Sequence, residues 1–227
     1  MGAFGPRIEL VLFHDVLCSW CLLADARLRW LKRHELHEQV VLRYKAFPTR
    51  HRDTIPTARE IKTLSRHYTR VSKTNEGWGI VPDVWCGGDP PLSTIPPLVA
   101  LESARRQGPE QRDRFWESMR HAAFWNGINV ARRDVLIELA ERAGLDLDLF
   151  LRAMDDPQTE QLVMAEHDEA EARKISGVPA LLLRPVQRYA GSPEWIAAGC
   201  RDIWEYRELV FRFRDKLEAE DPERLRH

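Results

Sequence analysis

Two cysteines separated by two residues carry the clearest chemical signal in the sequence: Cys18-Ser19-Trp20-Cys21. Thiols at this spacing in a helix lie one turn apart, so a thiolate at Cys18 can attack a disulfide and Cys21 can reach back to release the product. Ser19 and Trp20 would then lie beside the substrate. Four cysteines in 227 residues give only about 0.05 such pairs by chance. The motif therefore predicts thiol-disulfide chemistry, with Cys18 as nucleophile and Cys21 as resolving thiol.

The segments around the motif predict a strand followed by a helix. Residues 8–13 form a short apolar run, and after Cys21 apolar residues recur at helical spacing at Leu23, Ala24, Leu28 and Leu31. The cysteines thus stand at a helix N-terminus, where unpaired N–H groups and the helix dipole stabilise a thiolate. Residues 40–47 alternate apolar and polar positions and predict a second strand, which completes a βαβ beginning.

Beyond residue 48 the pattern predicts a long helical block. Residues 67–97 are rich in Gly, Pro and Trp without a sustained period and predict a functional loop. Trp78, Trp85 and Cys86 in this loop could form a lid over a groove, or the tryptophans could pack in the core. The predicted helices follow at 98–107, 112–124, 130–143, 147–154 and 157–174.

A return to β structure is predicted after this block. Gly177-Val178-Pro179 precedes the apolar run 180–183, which is typical of a buried strand. We expect a second short strand at 186–190 and a final helix that begins at Ser192-Pro193, with Ser192 as its cap. The chain is therefore predicted to be an α/β protein.

A metal site is the main alternative use of the cysteine pair. Tetrahedral zinc needs two further ligands at readable spacing, but neither Cys86 nor Cys200 has a Cys or His within four residues. We therefore expect no metal, and we expect Cys200 to be an inert helix cysteine. A pair of buried, unreactive thiols is the other alternative.

His14 and Asp15 are candidates for tuning the two thiols. A protonated His14 that points inward would stabilise the Cys18 thiolate, whereas strand-end histidines are more often solvated. Asp15 could exchange protons with Cys21 or could simply cap the helix.

Composition narrows the classes of partner and the compartment. Lys and Arg number 34 against 35 Asp and Glu, a net charge of -1, so no basic field is available for nucleic acid or an anionic membrane. Residues 1–6 contain no apolar segment typical of a signal peptide. Few cysteines and no signal predict a reducing, cytoplasmic location without a permanent disulfide.

With these elements in order, the chain resembles the DsbA-like thioredoxin family, and most of all its cytosolic FrnE-type branch. The active-site signature of that branch is similar to Asp-x-x-Cys-Pro-Trp-Cys, which Asp15, Cys18, Trp20 and Cys21 match; Gly177-Val178-Pro179 also matches. The resemblance implies a thioredoxin fold with a large all-helical insertion between an N-terminal βαβ unit and a C-terminal ββα unit. Residues 7–55 and 175–220 would form the thioredoxin-like domain, and residues 56–174 the insertion.

The resemblance also implies how substrate is bound. A cis Val178–Pro179 bond would lie against the cysteine pair, and Val178 would offer its N–H and C=O to an extended substrate, as in strand addition. The expected substrates are disulfide-containing proteins or small molecules. No bound cofactor is expected, with glutathione as a candidate redox partner or co-substrate, and the oligomeric state stays open, a dimer included.

One departure from the signature, and the related families, keep alternatives open. Ser19 stands where the branch has Pro, so strong oxidant character is not implied. The related 2-hydroxychromene-2-carboxylate isomerases and kappa-class glutathione transferases carry Ser at the position of Cys18. A glutathione-dependent isomerase or transferase, in which Cys21 is idle, is thus the second hypothesis, and a non-enzymatic binding protein is the third.

Overall fold

The computed structural model describes residues 8–220, in which a four-stranded mixed sheet carries helices on both faces. Its strands are β1 (Ile8–His14), β2 (Val40–Ala46), β3 (Ala180–Pro185) and β4 (Trp195–Ala198), in the order β2-β1-β3-β4. The predicted start of the first domain at residue 7, and residues 1–6, to which the expectation about a signal peptide applies, lie outside the described residues.

Strand β1 is the centre of the sheet and pairs with two neighbours. It runs parallel to β2, with Leu12 opposite Tyr44, and antiparallel to β3, with Leu12 opposite Leu181. Strand β4 pairs antiparallel with β3 at the other edge. A parallel pair needs a crossover connection, and the first helix supplies it.

Nine helices occupy the rest of residues 8–220: α1 (Ser19–Leu31), α2 (Ala58–Val71), α3 (Asp83–Cys86), α4 (Ile95–Arg105), α5 (Pro109–Arg120), α6 (Arg133–Arg142), α7 (Leu147–Met154), α8 (Pro157–Ala172) and α9 (Ile203–Glu220). Single π-helical turns, Lys32–Leu36 and His121–Trp125, continue α1 and α5. Helices α2 to α8 all lie between β2 and β3. The predicted α/β class with a helical block between two β segments is confirmed, whereas the domain boundaries at 56 and 174 stay a prediction.

The alternation of β1 explains how the sheet is covered. Leu10 and Leu12 face α1 and α9, in a cluster that contains Leu28 and Phe213. Val11 and Phe13 face the opposite side, in a cluster with Ala170 of α8. A third and larger cluster fills the helical block, and it includes Phe115, Trp116 and Phe150. Each fully buried large side chain contributes about 1.5–3 kcal/mol to the stability of the fold. Helix α1 supplies side chains to both the sheet cluster and this helical cluster and is therefore held between them.

The predicted loop at 67–97 is wrong in part, because the long helix α2 ends only at Val71 and the short helix α3 forms within the loop. The sequence contains the signal for α2: Thr57 accepts a hydrogen bond from the backbone N–H of Glu60, and the Glu60 carboxylate accepts one from the backbone N–H of Thr57. This reciprocal capping box defines a helix start. The segment that follows is rich in Gly, Pro and Trp, and this composition obscures the helix start in the sequence.

The last two predicted elements are also wrong in position. The second strand is not 186–190 but Trp195–Ala198, and the final helix begins at Ile203 rather than at Ser192. Ser192 is used in a turn, where its Oγ accepts from the backbone N–H of Tyr189 at 2.7 Å. Trp195 then packs its ring 5.2 Å from that of Phe213. Burial of this aromatic pair outweighs the local helix-start signal.

Candidate active site

Cys18 is the N-cap residue of α1, and its sulfur is partly exposed. The backbone N–H of Cys21 donates to Cys18 Sγ at 3.2 Å, and Cys18 Sγ lies 3.8 Å from the carbonyl oxygen of Val178. Both cysteines are free thiols. A thiolate at Cys18 would therefore be stabilised by a direct N–H donor and by the positive end of the α1 dipole.

Cys21 occupies the opposite kind of environment. Its side chain is buried, at 2% exposure. Burial raises the pKa of the Cys21 thiol well above its ordinary value, and the hydrogen bond to Cys18 and the charge of Cys18 act in the same direction. The backbone N–H of Asp15 lies close enough to favour the Cys21 thiolate in part. Of the two thiols, the partly exposed Cys18 is therefore the one that a substrate disulfide can reach first.

The Val178–Pro179 segment faces the cysteine pair. Its peptide bond is cis, Val178 is half-buried and Pro179 is buried. The carbonyl oxygen of Pro179 accepts from the backbone N–H of Gly199 at 2.8 Å, which ties the segment to the end of β4. The structure thus brings together Cys18, Cys21, Val178 and Pro179, four of the residues that the sequence selected.

Asp15 fixes the loop that leads from β1 to Cys18. Its carboxylate is buried and accepts from the backbone N–H of Leu17 at 2.8 Å and from the N–H and hydroxyl of Thr49, each at 2.7 Å. Burial raises the pKa of Asp15, although these hydrogen bonds oppose the rise. Asp15 does not cap α1, since Cys18 holds that position. A carboxyl group with a raised pKa beside a buried thiol is suited to exchange protons with it.

His14 is buried rather than solvated. Its ring centroid lies 4.9 Å from that of Trp116 and 5.7 Å from that of Tyr44. Burial, and next the charges of Arg112 and Arg120, lower the pKa of His14 to about 3. The imidazole is therefore neutral near pH 7 and has no positive charge to lend to Cys18.

Ser19 and Trp20, the two residues between the cysteines, differ in exposure. Ser19 is 2% exposed, and within residues 8–220 its hydroxyl has no hydrogen-bond partner. Trp20 is half-buried against the helical core, with its ring 6.2 Å from His67 of α2. Trp20 is therefore partly accessible while it packs on the helical core, whereas the Ser19 side chain is buried. Substrate contact by these two residues stays a prediction.

The structure adds two neighbours that the sequence did not indicate. The hydroxyl of Tyr68, in α2, donates to the carbonyl oxygen of Leu17 at 2.9 Å and so braces the active-site loop. Cys200 lies in the loop before α9 and not in a helix, with Arg27 Nη1 3.8 Å from its sulfur. Burial raises the pKa of Cys200 to about 11, against the opposing charge of Arg27.

The three residues predicted as a lid differ in exposure. Trp85 is buried, whereas Trp78 is 77% exposed and Cys86 is exposed, so Trp78 and Cys86 have the accessibility that a lid requires. Within residues 8–220 no three side chains of His, Cys, Asp or Glu are grouped as a metal site requires. No helix in the same part of the chain has the length and apolar character to cross a membrane.

Comparison of the sequence with known proteins gives one family. The model of the DSBA-like thioredoxin domain matches residues 9–195. The ClpXP adapter protein SpxH of Halalkalibacterium halodurans is 31% identical over 100 residues, which cover 44% of this chain and 32% of that protein. SpxH of Bacillus subtilis is 24% identical over 182 residues, or 77% of this chain and 57% of that protein. The chain thus spans between a third and somewhat over half of the curated relatives it matches.

Solved structures share the fold at low sequence identity. A Nitrosomonas europaea protein with the provisional name protein disulfide isomerase superposes with a TM-score of 0.76 at 19% identity, covering 92% of this chain and 98% of that chain. The cytosolic disulfide reductase DsbM of Pseudomonas aeruginosa gives 0.65 at 19% identity, with 93% and 98% covered. Its complex with GSH gives 0.64 at 17% identity, with the same coverage. A 2-hydroxychromene-2-carboxylate isomerase gives 0.57 at 16% identity, again with 93% and 98% covered.

Proposed function

This chain belongs to the family of DSBA-like thioredoxin domains, and from that premise we propose that it is a thiol-disulfide oxidoreductase or isomerase that works through Cys18 and Cys21. The observation that carries the proposal is the 3.2 Å hydrogen bond from the Cys21 N–H to Cys18 Sγ, at a helix N-terminus and beside the Val178 carbonyl. One sulfur is accessible and the other is buried one turn away. Two thiols with such different access suit a sequential reaction.

In the first step the Cys18 thiolate attacks one sulfur of a substrate disulfide. The Cys18–substrate S–S bond forms as the substrate S–S bond breaks, and the second substrate sulfur leaves with the electron pair and takes a proton from solvent. The N–H of Cys21 and the α1 dipole stabilise the thiolate before attack. The backbone of the half-buried Val178 would align an extended substrate beside the sulfur, by main-chain hydrogen bonds.

In the second step Cys21 releases the product. Its buried thiol loses a proton, and Asp15, whose carboxylate charge acts on Cys21, would be the base that accepts it. The Cys21 sulfur then attacks Cys18 Sγ, the intramolecular disulfide forms, and the first substrate sulfur leaves as a thiol. Two electrons pass from the dithiol to the substrate, and the reverse sequence oxidises a dithiol.

Two cysteine variants test the proposal. Cys18→Ser is expected to abolish turnover of insulin or glutathione disulfide, whereas Cys21→Ala is expected to retain the attack and accumulate mixed disulfides, visible by mass spectrometry. Cys86→Ser is the matched control, since Cys86 is an exposed thiol on α3. Turnover that survives in Cys18→Ser would disprove the mechanism.

A glutathione-dependent isomerase or transferase is the second candidate function. The fold shared with 2-hydroxychromene-2-carboxylate isomerase and with GSH-bound DsbM favours it. In that reaction Cys18 holds the glutathione sulfur and Cys21 takes no part. The Cys21→Ala variant therefore separates the two functions, because it would keep nearly full isomerase or transferase activity but would lose disulfide turnover.

The curated relatives support a third candidate, a protein that binds a partner without catalysis, since both carry the name ClpXP adapter protein. This candidate predicts slow alkylation of Cys18 at pH 6 and partner binding that is unchanged in Cys18→Ser. Fast alkylation at that pH would instead agree with a stabilised thiolate.

We also propose a cytoplasmic location, which DsbM, a cytosolic reductase with the same fold, supports. The reduction potential of the Cys18–Cys21 pair tests the direction of use. A value near that of cytosolic glutathione would agree with a reductase or isomerase, and a much more oxidising value with a disulfide donor.

A further inference from the structure

Three arginines surround one buried tryptophan, Trp116 of α5. The guanidinium carbons of Arg29, Arg112 and Arg120 lie 5.2, 4.2 and 3.7 Å from the ring centroid of Trp116. Trp116 is 1% exposed. Guanidinium groups stack well on aromatic faces, but their charges still need anions when they leave water.

The buried anions do not balance this cluster. Asp25, at 1% exposure, accepts a hydrogen bond from Arg120 at 2.6 Å and forms an ion pair with Arg29 at 3.0 Å. Arg112 is itself 9% exposed, and its ion-pair partner is the adjacent Asp113, whose side chain is 48% exposed. Of the carboxylates that these three guanidinium groups meet, only Asp25 is buried: Asp113 and Glu117, which also pair with Arg29, are 48% and 60% exposed.

A groove of about 900 Å³ opens above this cluster. It lies between the C-terminal half of α1, strand β2 and the start of α5. Its lining includes the cations Arg29, Lys32, Arg33, Arg43, Arg105 and Arg112, against the carboxylates of Glu38 and Asp113. Cysteines and the Val178–Pro179 segment are absent from this lining, so the groove is separate from the thiol site.

Carboxylates outside the groove compensate only part of its positive charge: Arg29 pairs with Asp25, and Arg105 pairs with Glu102 at 2.5 Å. Arg43 lies 3.6 Å from a Glu9 carboxylate that also pairs with Arg184 at 2.5 Å. In the described part of the chain no ion pair is found for Lys32 or Arg33. The rim of the groove therefore carries two cations without an ion pair in residues 8–220, above a floor where Arg112 has a single, half-exposed carboxylate partner.

A second, smaller cavity of about 60 Å³ adjoins the groove and shares Tyr44, Arg105 and Arg112 with it. His14 lines this cavity, and its Nδ1 is buried without a hydrogen-bond partner in residues 8–220. Buried polar atoms in folded proteins nearly always have a partner. The unpartnered nitrogen therefore marks a place for a further polar group near Arg112, and the carboxylates Glu102 and Glu166 line the same cavity.

We propose that this groove binds a small, multiply charged oxyanion, a phosphate or carboxylate compound, with Arg112 and Arg29 at its floor and Lys32 at its rim. The planar fork of arginine binds two oxygens of such a group at once. A small ligand fits better than an acidic polypeptide, because the excess charge extends to the buried floor as well as the exposed rim. The binding would neutralise Lys32 and Arg33 at the rim and would give Arg112 a second anionic partner.

Calorimetry with sodium pyrophosphate and sodium citrate tests the proposal, with sodium chloride of equal ionic strength as the blank. We expect one site and a rise in Tm of about 5 °C near saturation. Stronger binding of pyrophosphate would assign a phosphate ligand, and stronger binding of citrate a carboxylate one. Arg112→Gln is expected to weaken binding at least about tenfold, since it removes a charge-assisted contact from a desolvated floor.

A rim variant keeps the test independent of folding. Lys32→Gln/Arg33→Gln changes two side chains at the rim, and it is expected to weaken binding severalfold without altering the circular dichroism. Arg142→Gln/Arg212→Gln is the matched control: it removes the same charge from α6 and α9, at side chains that are 68% and 71% exposed. Equal loss of binding in both double variants, or tight binding of polyglutamate with none of pyrophosphate or citrate, would overturn the proposal.

Discussion

Asp25 offers the sharpest test of how the active-site helix is held. It lies about two turns after Cys18 on α1, is 1% exposed, and accepts hydrogen bonds from Tyr44 and Arg120, each at 2.6 Å, and from Arg29 at 3.1 Å. These contacts tie α1 to β2 and to α5. The substitution to consider is Asp25→Asn, which preserves the shape and removes the charge.

The magnitude follows from what the substitution leaves behind. Removing one partner of a buried ion pair costs about 3–5 kcal/mol, because the other charge stays buried and unpaired. Asparagine keeps one acceptor oxygen, so we expect the lower end, about 3 kcal/mol, in a protein whose total stability is typically about 5–15 kcal/mol. Glu117→Gln, the control, should cost no more than about 1 kcal/mol, since Glu117 is 60% exposed although it also pairs with Arg120.

The pH dependence gives a second measure of the same interaction. Burial alone would raise the pKa of Asp25, but Arg120 and Arg29 outweigh it and hold the pKa below its ordinary value of 3.8. A carboxylate whose pKa is lower in the folded state stabilises the protein above the unfolded value and loses that contribution as the pH falls through the folded one. Wild type should therefore lose stability below about pH 4 more steeply than Asp25→Asn.

Urea denaturation followed by circular dichroism measures both effects. The double variant Asp25→Asn/Arg120→Met should recover part of the loss, because it removes the stranded cation as well. The reasoning would be refuted if Asp25→Asn lowered the free energy of unfolding as little as Glu117→Gln does. It would also be refuted if adding Arg120→Met lowered the free energy of unfolding by about as much again.

Three further predictions concern the loop and the helical block. In wild type, the free energy of unfolding should fall by about 2–3 kcal/mol between about pH 6.5 and 4.5. The reason is that the pKa of His14 drops to about 3 on folding, so the unfolded chain binds an extra proton in this range. His14→Phe should flatten this part of the pH profile from urea melts, and an unchanged slope would contradict the prediction. Asp15→Asn should slow release of the mixed disulfide by about 10- to 100-fold if Asp15 is the base for Cys21, as rapid acid quench and mass spectrometry would show, whereas the initial attack should keep its rate. Gly127→Ala should lower the free energy of unfolding, measured in a urea melt, by at least about 2 kcal/mol. The reason is that Gly127 has a φ of +65° and an added Cβ would lie 2.5 Å from Cβ of Asp83. A loss of less than half that free energy would show that the loop adapts.

The sequence by itself determined the features that depend on local pattern. The spacing of Cys18 and Cys21 and the apolar period after them defined a thiol pair at a helix start, and the structure places Cys18 as the N-cap of α1. Strand alternation and helix caps gave most elements, because such signals act over a few residues. The same locality explains the error at Ser192, whose helix-start signal was overruled by packing of Trp195 on Phe213.

Only the tertiary structure decided the environments of the chemical groups. The contact from Cys18 Sγ to the Val178 oxygen joins residues 160 positions apart, and the Arg120–Asp25 pair joins residues 95 apart. Burial sets the pKa of Asp15, His14 and Cys21, and no local pattern encodes burial from distant elements. The sequence thus names the two thiols, whereas packing of β1, α1 and the helical block makes one sulfur accessible and the other enclosed.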